Sequence, residues 1–531
     1  MTYAVTYNGA PAAYYEPAAV EPIFVPRSRR QWIALIPPVF LCGASWAMGG
    51  VSTLTDAGFL LLTVTCIVFL IAEFRNFSRR FGIGGLLLYG GVLVWFCHDY
   101  MVNWFGLDFH RSVLPFSAAI VAKAAYFHTL FIMLMALGLS LGGGRWIQRI
   151  VLSVPEPGGE KFYLILLLLA LAVGISPFFI WVAEPFYMAL LHGAFSAWTA
   201  PVKFTVYRTG NLNYSWGGYV AQILQAGEVA GIFGAVFAIL VATRLWGKIV
   251  GWSIWLYWVL FVFNDGRRGD MAFMVLPAIA LLYIKYQASV AQLFRKHSWK
   301  AYGLAGTLAF LLLFAVQLQG SFRDVGLGNA DLSQVSLLRS QGNGMFSESM
   351  LGYALIPQQH DFFSNFFPGA GVIVPLPQQA WFFVIGPIPR ALWQTKPVDD
   401  LWSWYNHVKT GDANGAVGTT IAKGLVGTWY FHYGIFGVIE GGILVGWLMG
   451  LSERCLQNSG GRPISMLMSL GLAVWLFRVY RDFIFIELYA FMCGAVVLAI
   501  FSRLIRPFSG TWQSSSQNVV PNQTAQPSCG V

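Results

Sequence analysis

Residues 57–73 read Ala-Gly-Phe-Leu-Leu-Leu-Thr-Val-Thr-Cys-Ile-Val-Phe-Leu-Ile-Ala-Glu, and this run decides the fold. No charge interrupts 57–72, and apolar residues follow one another instead of alternating with polar ones, so the run is helix and not strand. Backbone inside the roughly 30 Å hydrocarbon layer has to satisfy its own hydrogen bonds, in a helix or a closed barrel. Arg75, Arg79 and Arg80 close the run, as basic residues close a membrane span. Similar runs recur along a chain that is 57% hydrophobic and 11% charged, against about 25% charged for an ordinary globular chain. The expected fold class is an all-α polytopic integral membrane protein.

Upstream of this run, Arg27, Arg29 and Arg30 precede a first span at about 32–50. Residues 1–31 read as a flexible leader: the start mixes Tyr, Ala, Pro and Glu without periodicity and lacks the pattern of a signal peptide. Downstream, further spans are expected at about 82–105, 116–141, 162–183, 217–243, 249–264, 271–284 and 301–318, with the semi-polar segment 184–215 lying at the interface. Residues 32–318 thus hold the first nine spans and 319–423 form one large loop. Three more spans follow within 424–503, at about 424–450, 464–477 and 483–502, and the Ser, Gln and Asn-rich tail 504–531 has no apolar face to bury. No internal repeat of the kind that builds many transporters is evident.

About twelve spans place both termini on one side, and charge tests that. Of the 33 Lys and Arg residues, 19 fall in the connections on the terminal side and seven in the short connections opposite. Six lie in the large loop and Lys123 lies inside the fourth span. The positive-inside rule then makes both termini cytoplasmic. The formal charge of +10 is explained by this topology, and no free-standing basic cluster with interleaved aromatics suggests a nucleic-acid partner. Cys42, Cys66, Cys97 and Cys493 lie in or beside apolar runs, Cys455 in a basic connection and Cys529 in the tail, without CxxC spacing. Neither a metal site nor a disulfide framework is expected.

This topology turns three arginine-bearing elements outward: Gly266-Arg267-Arg268-Gly269, the large loop, and Arg478 to Asp482. Positive charge kept on the outer side, against the insertion bias, needs a reason. The loop contains Pro387-Ile388-Pro389-Arg390-Ala391-Leu392-Trp393-Gln394-Thr395-Lys396-Pro397, then Gly418-Thr419, and the next span starts with Tyr430-x-x-x-Gly434-x-x-Gly437. On the sixth span Gln222, Gln225 and Glu228 share a broad face that should look toward protein or water.

Taken together, the arginine turn, the single large outer loop with its Pro-Arg-x-Leu-Trp-x-x-Lys-Pro run, and the Tyr430 to Gly437 pattern resemble the O-antigen or oligosaccharide repeat-unit polymerases (Wzy type). The resemblance covers about 260–450. It implies a GT-C-like membrane glycosyltransferase of the bacterial inner membrane, acting at the periplasmic face without metal or cofactor. Its substrates would be oligosaccharide repeat units on undecaprenyl diphosphate, with membrane lipids around it and a chain-length regulator and a flippase as partners. The growing glycan would pass from its lipid diphosphate to an incoming lipid-linked unit.

The chemistry asks for groups this sequence holds. A diphosphate leaving group gains negative charge as the glycosidic bond breaks, and Arg forks stabilise it through bidentate, charge-assisted bonds. Arg267 and Arg390 are the first candidates, followed by Arg268, Arg323, Lys396, Arg478 and Arg481. The acceptor hydroxyl needs a base, for which His432 and His407 lead, with Glu348 and Asp361 behind them. Many relatives carry an acid two positions before the Tyr430 equivalent; Thr428 stands there in this chain, which draws attention to His432. Trp393 and Trp402 are candidate sugar-stacking residues and Glu228 a candidate substrate contact.

Each assignment has a structural competitor. Span-end arginines serve as headgroup anchors, Arg390 can brace the loop, Arg478 and Arg481 can pair with Asp482 or Glu487, and Glu228 can pack between helices. Two other functions use similar architectures: an O-antigen ligase, which differs only in its acceptor, and a lipid-linked oligosaccharide transporter that does no chemistry.

Overall fold

The computed structural model describes residues 31–80, 82–103, 116–142, 154–181, 217–264, 268–296, 424–459, 462–480 and 494–505, with residues 148, 303, 307, 346, 385, 388 and 393. Among the described residues the protein is helical and contains no strand. A 3-10 turn, Gln31–Leu35, leads into α1 (Ile36–Ala47), followed by α2 (Ser52–Arg80), α3 (Ile83–Val92), α4 (His98–Asn103) and α5 (Ala118–Leu141). Then come α6 (Glu160–Trp181), α7 (Gly217–Val236), α8 (Leu245–Asn264), α9 (Arg268–Lys296), α10 (Leu425–Gln457), α11 (Pro463–Val479) and α12 (Gly494–Ile505).

Among the described residues, five helices are long and apolar enough to cross a membrane: Ser52–Phe74, Ile83–Met101, Ala118–Leu141, Leu245–Phe263 and Gly434–Gln457. Over the described residues the chain is therefore all-helical, of the membrane-embedded type. Described helix lies at the positions expected for spans one to eight, ten and eleven and in the second half of the expected twelfth; the first half of the twelfth and most of the ninth, at about 301–318, lie outside the described residues. The helices overrun several expected spans. Helix α2 continues to Arg80, α9 to Lys296 and α10 to Gln457, because apolarity reports only the part of a helix that lipid or core would cover.

Local chemistry sets the ends. Pro37 lies in the first turn of α1, where its missing N–H costs nothing. The helix stops at Gly49 and Gly50, both with positive φ. Ser117 caps α5 by accepting the Ile120 N–H, and Gly142, at φ +68°, ends it. A π-helical turn at Leu93–Cys97 joins α3 to α4, and a second one, Phe237–Val241, closes α7.

The packing spine is the α5–α10 pair. Gly442, Gly446 and Gly450 recur at four-residue spacing on α10 and let the two backbones touch. A Cβ at Gly446 would fall 2.0 Å from the Met135 carbonyl oxygen, one at Gly442 2.9 Å from that of Phe131, and one at Gly138 2.2 Å from that of Ile443. Contacts advance together along both chains, from Phe127 with Tyr430 to Gly142 with Gly450, so α5 and α10 run parallel. A second centre is built on Trp258 of α8, fully buried against Gly174 of α6 and Gly227 and Gly231 of α7.

Carboxylates lock the end of the bundle where α10 finishes. Glu453 accepts the Gly84 N–H at 3.0 Å. Glu156 accepts the Ile464 and Ser465 N–H groups at 3.1 and 3.0 Å and the Tyr163 hydroxyl at 2.7 Å, capping α11 from a distant part of the chain. The opposite end, where α10 begins and the segment 319–423 joins it, is termed the loop end below.

Candidate functional site

The loop end is assembled by backbone before side chains enter. The Leu425 N–H donates to the Tyr480 carbonyl at 3.1 Å, joining the start of α10 to the end of α11. The Tyr480 hydroxyl donates to the Leu88 carbonyl of α3 at 3.0 Å, and its ring lies where a Cβ on Gly91 would be. Helix α10 then bends sharply at Gly434, whose φ of +59° is a left-handed value. Trp429 lies against Gly441, twelve residues on, whereas a straight helix would hold them about 18 Å apart. The first turns of α10 are thus folded back over the rest of the helix.

A buried aromatic cluster lies at the same end of the bundle. Phe59 of α2 stacks on Tyr100 of α4 with centroids 4.0 Å apart. Phe346, from within the large loop of the sequence, sits edge-on to both, at 5.0 and 5.2 Å, and 4.9 Å from the His128 ring of α5. Phe96, within the π-helical turn, meets the other side of His128 edge-on at 4.9 Å. His128 Nδ1 lies 2.8 Å from the Ala124 carbonyl, which only accepts, so this nitrogen carries its proton. The π-helical turn adds a residue to the helix just ahead of Asp99 and Tyr100, a device that recurs at functional sites.

Polar groups pack beside these rings. Tyr100 donates its hydroxyl to Asp56 Oδ1 at 2.5 Å, and the Ser45 and Thr55 hydroxyls bond at 2.7 Å. Asp99 is buried. On the α10 side, the Lys123 ammonium lies 5.2 Å from the centre of the Tyr430 ring, and Phe127 packs on the same ring at 4.9 Å. A lysine costs about 2.5–3.5 kcal/mol at the centre of a span and less near its end, where Lys123 lies, and a ring face offsets about 0.5–2 kcal/mol. The loop end thus gathers a cation, a phenol–carboxylate pair and a buried aromatic cluster.

Of the residues expected from sequence, Arg478 is half-buried in the last turn of α11, two residues before Tyr480, and therefore beside the start of α10. Glu228 is buried on α7, 3% exposed, on a face covered by protein. Trp393 is partly buried. Thr428 is buried and donates its hydroxyl back to the Gly424 carbonyl at 2.9 Å. The backbone of His432 lies in the first turns of α10, and that of Arg268 opens α9; their side chains lie outside the described residues, as do Gln222 and Gln225 of α7. Arg267, Arg323, Arg390, Lys396, Trp402, His407, Arg481, Glu348 and Asp361 also lie outside the described residues. Among the described residues, no three of His, Cys, Asp and Glu converge as metal ligands would.

Sequence reasoning missed Asp56, Tyr100, His128 and the role of Lys123. The available signal was the presence of Lys123 and His128 in one apolar run, since ionisable groups inside a span mark function by default. Asp56 and Tyr100 carry no such signal, because their meeting depends on how α2 and α4 pack. Compared with known proteins, the chain matches no family model, no curated protein and no solved structure.

Proposed function

We propose that this protein is a polysaccharide polymerase: a GT-C-like, roughly twelve-span glycosyltransferase of the bacterial inner membrane with cytoplasmic termini. It joins oligosaccharide repeat units carried on undecaprenyl diphosphate, at the periplasmic face. The observation that carries the reading is the seating of Phe346 between Phe59, Tyr100 and His128. It puts position 346, which lies in the same sequence segment as the Pro-Arg-x-Leu-Trp-x-x-Lys-Pro run, at the end of the bundle where Arg478 and Tyr430 stand. Parallel packing of α5 and α10 also fits the odd number of spans that the twelve-span topology puts between them.

In this reading the acceptor sugar hydroxyl attacks the anomeric carbon of the growing glycan. The bond from that carbon to the diphosphate oxygen breaks, and undecaprenyl diphosphate leaves. The hydroxyl proton passes to the base, His432 or His407, and arginines headed by Arg267 and Arg390 take up the charge of the leaving group. Buried binding of a diphosphate next to aromatic sugar platforms positions both partners for transfer.

The test is a gel of surface polysaccharide beside the extracted lipid-linked pool from a strain lacking the gene. Loss of long polymer with single repeat units accumulating on the outward-facing carrier is the expected result. Long polymer left on its carrier identifies a ligase instead, and repeat units held on the cytoplasmic side identify a transporter. Arg267→Ala and Arg390→Ala, at normal protein levels, are expected to shorten or abolish polymer; unchanged length and amount rejects the diphosphate assignment.

A further inference from the structure

We propose that Lys123 is a phosphate-binding residue, holding the lipid diphosphate of the substrate where α5 meets the folded-back start of α10. The proposal rests on the polymerase reading and adds to it a contact from the N-terminal half of the chain, outside the region that resembles the polymerases.

Three observations place Lys123 there. First, it lies on the protein-facing row of α5. Phe127 packs on Tyr430, and the carbonyls of Phe131 and Met135 touch Gly442 and Gly446, so the positions one, two and three turns below Lys123 all face α10. A lysine on this row is not placed to anchor in surrounding lipid headgroups. Second, it is half-buried about five residues inside α5, and among the described residues its partner is the face of Tyr430, without an acid. An ammonium in a span that meets a ring and no acid among the described residues is suited to an anion brought by a ligand. Third, Tyr430 belongs to the same first turns of α10 that Leu425 ties to Tyr480, two residues beyond Arg478. Lys123 and Arg478 therefore flank one helix start from two different helices. The bend at Gly434 folds that start back over α10, and Lys123 beside it is half-buried and not sealed.

The shared chemistry, a phosphate on a lipid, has two sources: the diphosphate carrier or an ordinary anionic phospholipid. The full-length protein in phosphatidylcholine nanodiscs, titrated with undecaprenyl diphosphate and separately with phosphatidylglycerol, distinguishes them. Lys123→Met is expected to weaken undecaprenyl diphosphate binding about ten- to hundredfold, the loss of one hydrogen bond to a charged group, while Lys123→Arg stays near wild type and phosphatidylglycerol binding does not change. Tyr430→Leu, which removes the orienting ring but keeps the charge, carries the same test at smaller amplitude if Lys123→Met is not recovered folded. Equal binding of the diphosphate by wild type and Lys123→Met overturns the inference and leaves the polymerase reading standing. Parallel loss of phosphatidylglycerol overturns it in favour of a headgroup anchor. A wild-type protein that does not bind undecaprenyl diphosphate, with normal polymer in the deletion strain, rejects the polymerase reading itself.

Discussion

Single atoms decide whether the α5–α10 spine forms. Gly446 has no room for a methyl group, because a Cβ there would lie 2.0 Å from a backbone oxygen that no rotamer change can move. Gly446→Ala is therefore expected to destabilise the protein by about 1–3 kcal/mol through overpacking. Gly90→Ala is the contrast: its nearest neighbour would be the Leu70 methyl at 3.7 Å, an ordinary contact, and the better helix propensity of alanine is expected to make it neutral or stabilising by up to about 1 kcal/mol. Thermal unfolding of both variants in the same detergent checks the pair; similar midpoints would reject the close-packing account. The repetition Gly442-x-x-x-Gly446-x-x-x-Gly450 is legible in the sequence as a small-residue stripe. Its partner is not legible, since any helix with a smooth face could have docked there.

At the scale of elements, helix ends are held by groups from far away in the chain. Glu156 caps α11 through two backbone N–H groups and the Ser465 hydroxyl, and at the same time accepts the Tyr163 hydroxyl of α6. Glu156→Ala is expected to cost about 1–3 kcal/mol by leaving those donors without their acceptor. Its signature would be faster amide hydrogen exchange at Ile464 and Ser465, with α5 and α10 little affected. Uniform acceleration throughout would mean the carboxylate holds the whole fold and not one helix end. Glu156→Gln, which keeps one acceptor oxygen, should fall between. Nothing in the sequence around Glu156 announces this role, because a cap supplied some 308 residues away leaves no local capping motif. The bend at Gly434 was similarly silent: Tyr430-x-x-x-Gly434-x-x-Gly437 marks the start of a helix, and only the contact of Trp429 with Gly441 shows that it folds back.

For the whole molecule, the testable quantity is sidedness. By the positive-inside rule, the lopsided distribution of Lys and Arg leads us to propose a cytoplasmic tail and an outer large loop. A membrane-impermeant maleimide is then expected to label Cys529 in inverted vesicles but not in intact spheroplasts, and Asn414→Cys the other way round. Cys42, Cys66, Cys97 and Cys455 are buried and should stay silent in both. Labelling of Cys529 from outside would reverse the topology and remove the loop from the side where the lipid-linked substrate is proposed to react. By itself the sequence determined that this chain is built of apolar helices, about where they lie, and which stretches carry unexplained charge. These are local properties, set by the need of each segment to satisfy its own backbone and hide its own apolar surface. Only the tertiary structure decided that α5 lies against α10, that Phe346 reaches His128, and that Lys123 faces a tyrosine more than 300 residues away. Helices that are apolar on most faces are interchangeable to a hydropathy argument, and their pairing is chosen by where glycines let backbones approach and where a few polar groups find partners.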